Sequence, residues 1–498
     1  MASLVPRNIV AFGRWSLLVT TVLLVAFPFL SVTIPPAVDL PQHLGQVRMF
    51  YEALAGQRPD LTIAYLAPGN LVYLLLAACD ALLSPFAAGR LALALVVLAG
   101  VQSAWAVATR RDRPMGAVVL TAALAFNHSL YWGFLPFLCG WPVFLVWVHV
   151  LPTARTGVLA ALALLLYAAH PLWFAVGAIC ALPGTRHLGW KRAGGRGLAL
   201  LLPLALAALW YPTLTRLRSE AGFDMTAHFF TSPVERLDPR YLVDALLGGI
   251  RGPTETVVLA AMACWLVGAV VAARRGGAVD RHLLLASGLL WAIAFLGPDK
   301  FANTLEFNGR FFPPAMALLL LALPAPRLSP GLANLGAVVI LLALSAVTAL
   351  SWVRFEAEDL GGLKEAVEAV PEGSRVLGLD LRKQSAIVKG RPFIQAAYWV
   401  QAARGARPYF SFAEHGVGLV SCRIRPSGPT PGLEWSSELV KPSDFKYFDH
   451  VIANGSEEVH KALLLTFGLE AVTYQGAFRL YRVPSMPNPG GESLGFRP

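Results

Sequence analysis

The chain has 498 residues, of which 56% are hydrophobic and only 14% charged, and its mean hydropathy is +0.57. This composition excludes an ordinary soluble protein and indicates a polytopic membrane protein. The formal net charge of +11 does not indicate nucleic-acid binding, because residues 354–498 carry 17 Lys/Arg against 16 Asp/Glu and the excess lies on the apolar part. Basic loops beside a membrane follow from topology and from anionic lipid.

The apolar run over residues 15–34 follows Arg7 and Arg14 and is long enough to cross a bilayer. Because it lacks a small-residue cleavage site and ends in two prolines, we interpret it as an uncleaved first span with its N-terminus inside. Ten further spans are predicted near residues 61–83, 91–109, 115–129, 134–151, 157–177, 197–214, 256–273, 283–298, 311–326 and 331–353. The predicted fold class is therefore an all-α membrane domain over residues 1–353, with about eleven transmembrane helices.

An odd number of spans that starts inside places everything after Arg354 outside, in a bacterial-type inner membrane. The basic segments 187–196 and 274–281 then lie inside, as the positive-inside rule requires. Residues 110–113 (RRDR) lie outside in this count. The orientation of residues 84–156 therefore stays open, because two of spans two to five could be re-entrant or the fold could override the charge bias.

Residues 354–484 are predicted to form a small α/β extracytoplasmic domain, because charges mix and helix and strand patterns alternate there. Helices are expected over residues 360–370 and 456–466, the second capped by Ser456, and strands over 374–379, 449–453, 471–474 and 477–483. Residues 485–498 are predicted to be a disordered tail. Cys422 is the only cysteine after Arg354, so this domain has no disulfide available to it.

The segment 39–43 (DLPQH), just after the first span, places a carboxylate and an imidazole at the edge of the bilayer. It belongs to the first external loop, residues 35–60. Apolar residues then recur at helical spacing, which predicts an amphipathic helix lying in the membrane interface; they are Leu40, Leu44, Val47, Tyr51 and Leu54. Asp39 could simply be the N-cap of this helix, and His43 could be an ordinary interfacial side chain. The local pattern is equally compatible with these structural roles and with a functional role for the two residues.

The order of a first span, an external Asp, a juxtamembrane helix, many further spans and a terminal soluble domain resembles the GT-C superfamily of membrane glycosyltransferases. That superfamily includes the protein O-mannosyltransferase and aminoarabinose-transferase types. Residues 84–90 (SPFAAGR) resemble its turn with an Arg opening the next span, and residues 308–313 (NGRFFP) resemble its Arg-aromatic-Pro entry to a late helix. The family usually has two adjacent carboxylates where this chain has Asp39-Leu40, so the resemblance implies a divergent member.

The resemblance implies transfer of a sugar from a polyprenyl-phosphate donor to an envelope glycan, lipid or protein acceptor on the outer face. The attack is expected to invert the anomeric carbon, with Asp39 as general base. Arg310 and Asn308 are assigned to the donor phosphate, although Arg310 could equally be an ordinary arginine at a span end. His43 could orient Asp39, contact phosphate, contribute to a metal site or have none of these roles.

A second external loop, residues 216–255, carries six titratable side chains, which most simply form a solvated loop. Glu220 and Asp224 would share one face of a helix and are candidates for acceptor or metal contacts, as is His128 at the edge of the membrane. The cofactor expectation is accordingly none that is certain, with a divalent metal ion as an option. Membrane lipids are expected partners and nucleic acid is not.

Two other kinds of protein remain open on the sequence alone. A transporter or flippase of a lipid-linked glycan would have paired internal repeats, and none is visible. A non-catalytic membrane scaffold would use residues 354–498 to dock partners. Motifs for a P-loop, a dinucleotide-binding turn, an HExxH metal site or a GxSxG nucleophile are not found in the sequence.

Overall fold

The computed structural model describes residues 7–182, 190–220, 229–301, 304–415, 418–422 and 428–484. The predicted tail over residues 485–498 lies outside the described residues. Up to Arg354 the helices are α1 (Arg7–Leu30), α2 (Leu40–Leu54), α3 (Leu71–Asp80), α4 (Pro85–Arg110), α5 (Met115–Ala123), α6 (His128–Trp132), α7 (Leu135–Val150), α8 (Thr156–Ala169), α9 (Pro171–Ala181), α10 (Trp190–Glu220), α11 (Pro239–Leu246), α12 (Thr254–Arg274), α13 (Arg281–Leu296), α14 (Phe312–Ala322) and α15 (Pro330–Arg354).

Within the described residues, five helices are long and apolar enough to cross a membrane, namely those that contain Gly13–Leu30, Pro85–Arg110, Arg192–Ser219, Thr254–Arg274 and Pro330–Asp359. Six further apolar helices of 10–17 residues pack among them. The bundle is closed by aromatic side chains, since Trp147, Trp173 and Trp352 are almost completely buried. The chain is therefore a multi-pass membrane protein.

Three predicted spans differ from the structure. The region 61–83 contains a short strand, β1 (Leu61–Ile63), and only the ten-residue α3, because Pro68 and Gly69 (φ 89°) break the chain between them. Residues 115–129 form α5 and then, after the Asn127 cap, the one-turn α6, which Gly133 ends at φ 76°.

The third difference is a break at His170 within the predicted span 157–177. His170 is extended (φ −169°, ψ 134°) because Pro171 follows it, and its side chain accepts a bond from the Leu172 amide to start α9. Two shorter helices, α8 and α9, therefore replace one continuous span.

After Arg354 the chain forms a five-stranded mixed sheet with helices α16 (Leu363–Glu368), α17 (Trp399–Arg404) and α18 (Glu457–Leu465). The strands of this sheet are β2 (Arg375–Asp380), β3 (Arg407–Pro408), β5 (His450–Asn454), β6 (Glu470–Ala471) and β7 (Phe478–Arg482), in the order β3-β2-β5-β7-β6. A further strand, β4 (Val420–Cys422), lies outside the sheet. β2 is parallel to both β3 and β5, whereas β7 is antiparallel to its neighbours. The predicted elements are found within a few residues, although the Ser456 side chain makes no capping bond.

The first half of the helix predicted to lie in the membrane interface is enclosed between the two parts of the chain, whereas Tyr51 and Leu54 in its second half are exposed. Leu40 to Val47 of α2 are all buried, including the polar Gln42, His43 and Gln46. Gln42 donates to Gln395 (2.8 Å), and Gln46 accepts from the Val420 amide (2.7 Å), so the C-terminal part covers the polar face. β1 also pairs with β4, which ties the first external loop to the C-terminal domain.

Candidate functional site

Four hydrogen bonds fix the loop between α1 and α2. The Thr33 and Ile34 amides donate to the Glu356 carboxylate, which lies just beyond α15, at 2.9–3.0 Å. Arg90, from the predicted turn that opens α4, donates to the Val32 carbonyl at 2.6 Å. A loop bonded to the start of one helix and the end of another holds a fixed conformation, so the residue that follows it is positioned before any ligand binds.

The other side of this loop is bonded to α6. The Val38 and Asp39 amides donate to the Tyr131 and Trp132 carbonyls at 2.9 and 3.0 Å. Gly133 packs so closely that a Cβ there would lie 2.7 Å from the Asp39 nitrogen, and its φ of 76° favours glycine. The segment 127–134 was singled out only for His128, but its main contribution is to hold Asp39.

Asp39 stands at the N-cap position of α2, yet its side chain makes no capping bond. The alternative reading of Asp39 as a simple helix cap therefore has no support in the geometry. The carboxylate is half-buried, and burial raises its pKa to about 8, while the nearby Arg310 opposes that rise. The Asp39 carboxylate is thus a stronger base than an ordinary carboxylate, and ionising it without a partner costs free energy.

Arg310 lies in a 3-10 turn (Gly309–Phe311) that leads into α14 and is only 7% exposed. Its guanidinium carbon lies 3.6 Å from the ring centroid of Phe134, and Nη2 donates to the Leu305 carbonyl at 2.9 Å. Among the described residues, its Nε has no hydrogen-bond partner. A buried guanidinium with a free donor, close enough to Asp39 to affect its pKa, can bind an anion.

His43 is buried, and its Nδ1 lies 2.9 Å from the Tyr73 hydroxyl. Burial lowers the pKa of His43 to about 4, and a hydrogen bond to the Gly133 backbone partly offsets this, so the ring is neutral at physiological pH. Its ring also packs edge-on against Phe412 of the C-terminal part. The structure therefore places His43 beside the site with its ring already engaged, and its predicted catalytic role stays a prediction.

Asn308 is completely buried, and its amide donates to the Tyr241 hydroxyl (3.1 Å) and the Ala294 carbonyl (3.2 Å). These donors join the loop before α14 to α11 and α13. The only group of this side chain without a partner in the described residues is its Oδ1, an acceptor that cannot donate to phosphate. Its assignment to the donor phosphate also stays a prediction, and the geometry gives it the role of positioning Arg310.

His128 is the first residue of α6, and its Nε2 lies 4.0 Å from the Glu306 carboxylate. Glu306 was not singled out from the sequence, yet burial raises its pKa, which Arg310 opposes, and it has a left-handed φ of 51°. A non-glycine residue at such a φ is strained and is often found at functional sites. The sequence signal that could have identified Glu306 is an acidic residue in a short loop between apolar segments.

The candidate pair Glu220 and Asp224 in the loop 216–255 stays a prediction. Asp224 lies outside the described residues, as does the side chain of Glu220 at the end of α10. Glu255 and Asp244 form ion pairs with Lys389 instead (2.8 and 2.6 Å). In the parts of the chain that the structure describes, no three His, Cys, Asp or Glu side chains come together as a metal site.

A small cavity of about 60 Å³ opens beside Arg310 between α4, α5, α7 and α14. Its walls are mostly apolar and include Val96, Val97, Leu124, Leu138, Trp141 and Pro313. Arg310, Asn127 and Ser129 are among its polar lining. An apolar cavity with one guanidinium matches a ligand that has an apolar chain and an anionic group.

No protein-family model and no curated protein matches the sequence. Two solved structures do match in fold. The crystal structure of ArnT from Cupriavidus metallidurans bound to undecaprenyl phosphate superposes with a TM-score of 0.53 at 14% identity, over 96% of this chain and 100% of that one. The apo crystal structure of the same protein gives a TM-score of 0.45 at 14% identity, over 95% and 98%.

ArnT is a GT-C aminoarabinose transferase. The resemblance to the GT-C superfamily that the sequence predicts is therefore confirmed at the level of the fold, over nearly the whole chain. At 14% identity this likeness shows the fold alone.

Proposed function

We propose that this protein is an integral membrane glycosyltransferase that moves a sugar from a polyprenyl-phosphate donor to an envelope acceptor. The observation that carries the proposal is the arrangement of Asp39 and Arg310. Two loops at one end of the bundle hold a carboxylate and a guanidinium close enough to interact electrostatically, and the guanidinium Nε has no hydrogen-bond partner among the residues that the structure describes. Transfer from a lipid phosphate needs a base and an anion-binding group of this kind.

In the proposed reaction, Asp39 accepts the proton of an acceptor hydroxyl while that oxygen attacks the anomeric carbon of the donor. The bond from that carbon to the phosphate oxygen breaks, and the bonding electrons leave with the phosphate. Arg310 binds the departing phosphate and stabilises the charge that develops on it. A single displacement of this kind inverts the anomeric carbon.

Two observations support a polyprenyl-phosphate donor. The crystal structure of ArnT that shares this fold is bound to undecaprenyl phosphate. The walls of the small cavity beside Arg310 are mostly apolar and suit a lipid chain, and the guanidinium suits the phosphate of that lipid.

The proposal includes the arrangement in the membrane. Residues 1–353 form the membrane domain, and residues 354–484 form an extracytoplasmic domain that covers α2 and thereby closes the site on one side. Since β1 and β4 pair across this junction, both parts of the chain lie on the same side of the membrane there.

The test is sugar transfer by the full chain in proteoliposomes, with undecaprenyl phosphate carrying a radiolabelled sugar as donor and envelope extract as acceptor. Asp39→Asn is expected to slow transfer by about 10²–10⁴-fold, since an amide cannot accept the proton. Asp60→Asn is the matched control, because Asp60 lies in the same loop but is paired with Arg58 at 2.6 Å. Wild-type transfer by Asp39→Asn would exclude Asp39 as the base.

A further inference from the structure

The C-terminal sheet has a topological switch point that the proposed reaction does not use. β2 is parallel to β3 on one side and to β5 on the other, so the order of the parallel strands reverses at β2. The carboxyl ends of β2 and β5 meet at Asp380 and Asn454, which are paired in register. In open sheets with parallel strands, ligands bind at this switch point, because the loops that follow the strands diverge there.

Asp380 is held at this position with one oxygen left over. It is 5% exposed, and its Oδ1 accepts from the Lys383 amide (2.9 Å) and from the Asn454 side chain (3.0 Å). Its own amide donates to the Ser437 hydroxyl at 2.9 Å. Oδ2 is 3.9 Å from the Arg391 guanidinium and accepts no hydrogen bond within the described residues.

Tyr398 reaches the same face of β2. Its Cζ lies 3.9 Å from the position that a Cβ on Gly378 would occupy, and residues 378 and 380 share one face of the strand. Tyr398 is 2% exposed, and neither its hydroxyl nor the Nε of Arg391 has a partner among the described residues. A buried hydroxyl without a hydrogen-bond partner destabilises the fold, so such a group indicates a position where a ligand or an ordered water completes the bonding.

Two partly exposed side chains, Arg391 and Trp435, continue from Asp380 towards the surface. Arg391 donates to the Trp435 carbonyl at 2.8 Å, and its guanidinium carbon is 5.5 Å from the Trp435 ring centroid. The Trp435 side chain is 36% exposed, and the adjacent Glu434 is half-buried, which raises the pKa of its carboxyl group.

These groups together have the chemistry that recognises a sugar ring. A carboxylate and a guanidinium can each bond neighbouring hydroxyls in a bidentate manner, and an indole ring offers an apolar face to the C–H groups of a pyranose. A phosphate or another simple anion would instead be opposed by Asp380 and Glu434. The combination therefore favours a neutral, polyhydroxylated ligand.

The position is connected to the proposed reaction centre by edge-to-face contacts between aromatic rings. Tyr398 contacts Phe410 (5.9 Å between centroids), Phe410 contacts Phe412 (6.1 Å), and Phe412 contacts His43 (5.7 Å), four residues after Asp39. These contacts link the position to α2, which begins next to Asp39.

We propose that Asp380, Arg391, Tyr398 and Trp435 form a saccharide-binding site that holds the acceptor, so that the acceptor is a glycan. The role of the bound sugar as acceptor rests on the proposed transfer at Asp39, whereas binding itself does not. The site selects a sugar unit and leaves the attacking hydroxyl to reach Asp39.

The test is saturation-transfer NMR on the full chain in lipid nanodiscs, since maltoside detergents would themselves present sugars. The probes are the methyl glycosides of glucose, galactose and N-acetylglucosamine. At least one is expected to bind the wild-type protein, and Tyr398→Phe and Trp435→Ala are expected to weaken that binding at least tenfold. Tyr398→Phe removes only an unpaired hydroxyl, so its thermal unfolding midpoint should stay the same or rise.

Tyr481→Phe is the matched control, because the Tyr481 hydroxyl is bonded to His460 at 2.7 Å. It should lower the unfolding midpoint and leave binding unchanged. Absence of a signal for all three glycosides, or equal binding by wild type and Tyr398→Phe, would overturn the proposal. Asp39→Asn separates the two proposals: it should bind the glycoside like wild type, and if it also transferred sugar normally, the base assignment would fail while the binding site stood.

Discussion

Two groups of buried charges lie where the membrane helices meet the C-terminal domain, and they differ in how completely they are paired. In the first, Glu255 is 1% exposed and accepts from the Gly249 and Ile250 amides at 2.7 and 2.8 Å and from Lys389 at 2.8 Å. Lys389 also bonds Asp244 at 2.6 Å. This cluster is complete without any further molecule.

In the second group, Asp39 makes no capping bond and Arg310 has an Nε without a partner in the described residues. Both pairs come from distant parts of the chain and both are shielded from water, so burial alone does not distinguish them. A completely paired cluster holds the membrane helices and the C-terminal domain together. An incompletely paired cluster indicates a site that binds a ligand.

The largest expected effect is on the complete cluster. Lys389→Met should lower the free energy of unfolding by about 3–5 kcal/mol, because Glu255 would remain buried without its counter-ion. Thermal unfolding of the purified protein measures this. Lys383→Met is the control: the ion pair of Lys383 with Glu438 is exposed, so its loss should cost about 1 kcal/mol or less. Equal unfolding midpoints for the two variants would contradict a structural role for the Glu255 cluster.

The second prediction concerns the incomplete cluster. Arg310→Gln should reduce sugar transfer by about 10²–10³-fold, because the developing charge on the phosphate loses its cation. Its unfolding midpoint should change little. Arg236→Gln provides the contrast, since Arg236 is 1% exposed and is bonded to three carbonyls and to Asp299. That variant should unfold earlier, and if Arg310→Gln unfolded just as early, Arg310 would be a structural arginine.

This contrast also shows what the sequence could predict. Asp39 and Arg310 could be named because each stands next to an apolar segment, and hydropathy locates such segments from local sequence alone. The extent of pairing around them could not be predicted, because Phe134, Glu356 and Arg90 approach from far away in the chain. The same limit applies to β1 and β4, which are three residues each and form only by pairing with one another.

The position of α2 depends on contacts of the same kind. Its first half, Leu40 to Val47, is buried, and its polar side chains bond Gln395 and Val420 of the C-terminal domain. Tyr51 and Leu54 of the apolar stripe are exposed, so the interfacial position of the second half stays a prediction. The stripe alone could not show that the C-terminal domain covers only the first half.

The third prediction is a pH profile. Because burial raises the pKa of Asp39 to about 8, its carboxyl group is mostly protonated at neutral pH and cannot accept a proton. The kcat/KM for transfer should therefore rise about tenfold per pH unit up to about pH 8 and then level off. The unfolding free energy should change in the opposite direction, because between about pH 4 and 8 the folded protein holds a proton that the unfolded chain has lost, and stability falls as pH rises.

Asp39→Asn should remove this contribution to the pH dependence of stability, which thermal unfolding across pH 5–9 can measure. A rate profile with its midpoint near pH 4 would show that Asp39 is solvated and ionised in the working enzyme, and the contrast with the fully paired Glu255 cluster would weaken.

The smallest expected effect concerns His43, which lies next to the incompletely paired group but is itself hydrogen-bonded. Its ring is neutral and bonded to Tyr73, so it resembles the paired cluster more than the open one. Tyr73→Phe removes one neutral hydrogen bond, worth about 0.5–1.5 kcal/mol, and should slow transfer only a few-fold without moving the midpoint near pH 8. His43→Gln should behave similarly if His43 only positions α2 below Asp39. A loss of a hundredfold or more in His43→Gln, together with a shifted pH midpoint, would instead show that the imidazole takes part in proton transfer, and the incomplete cluster would then extend from Arg310 through Asp39 to His43.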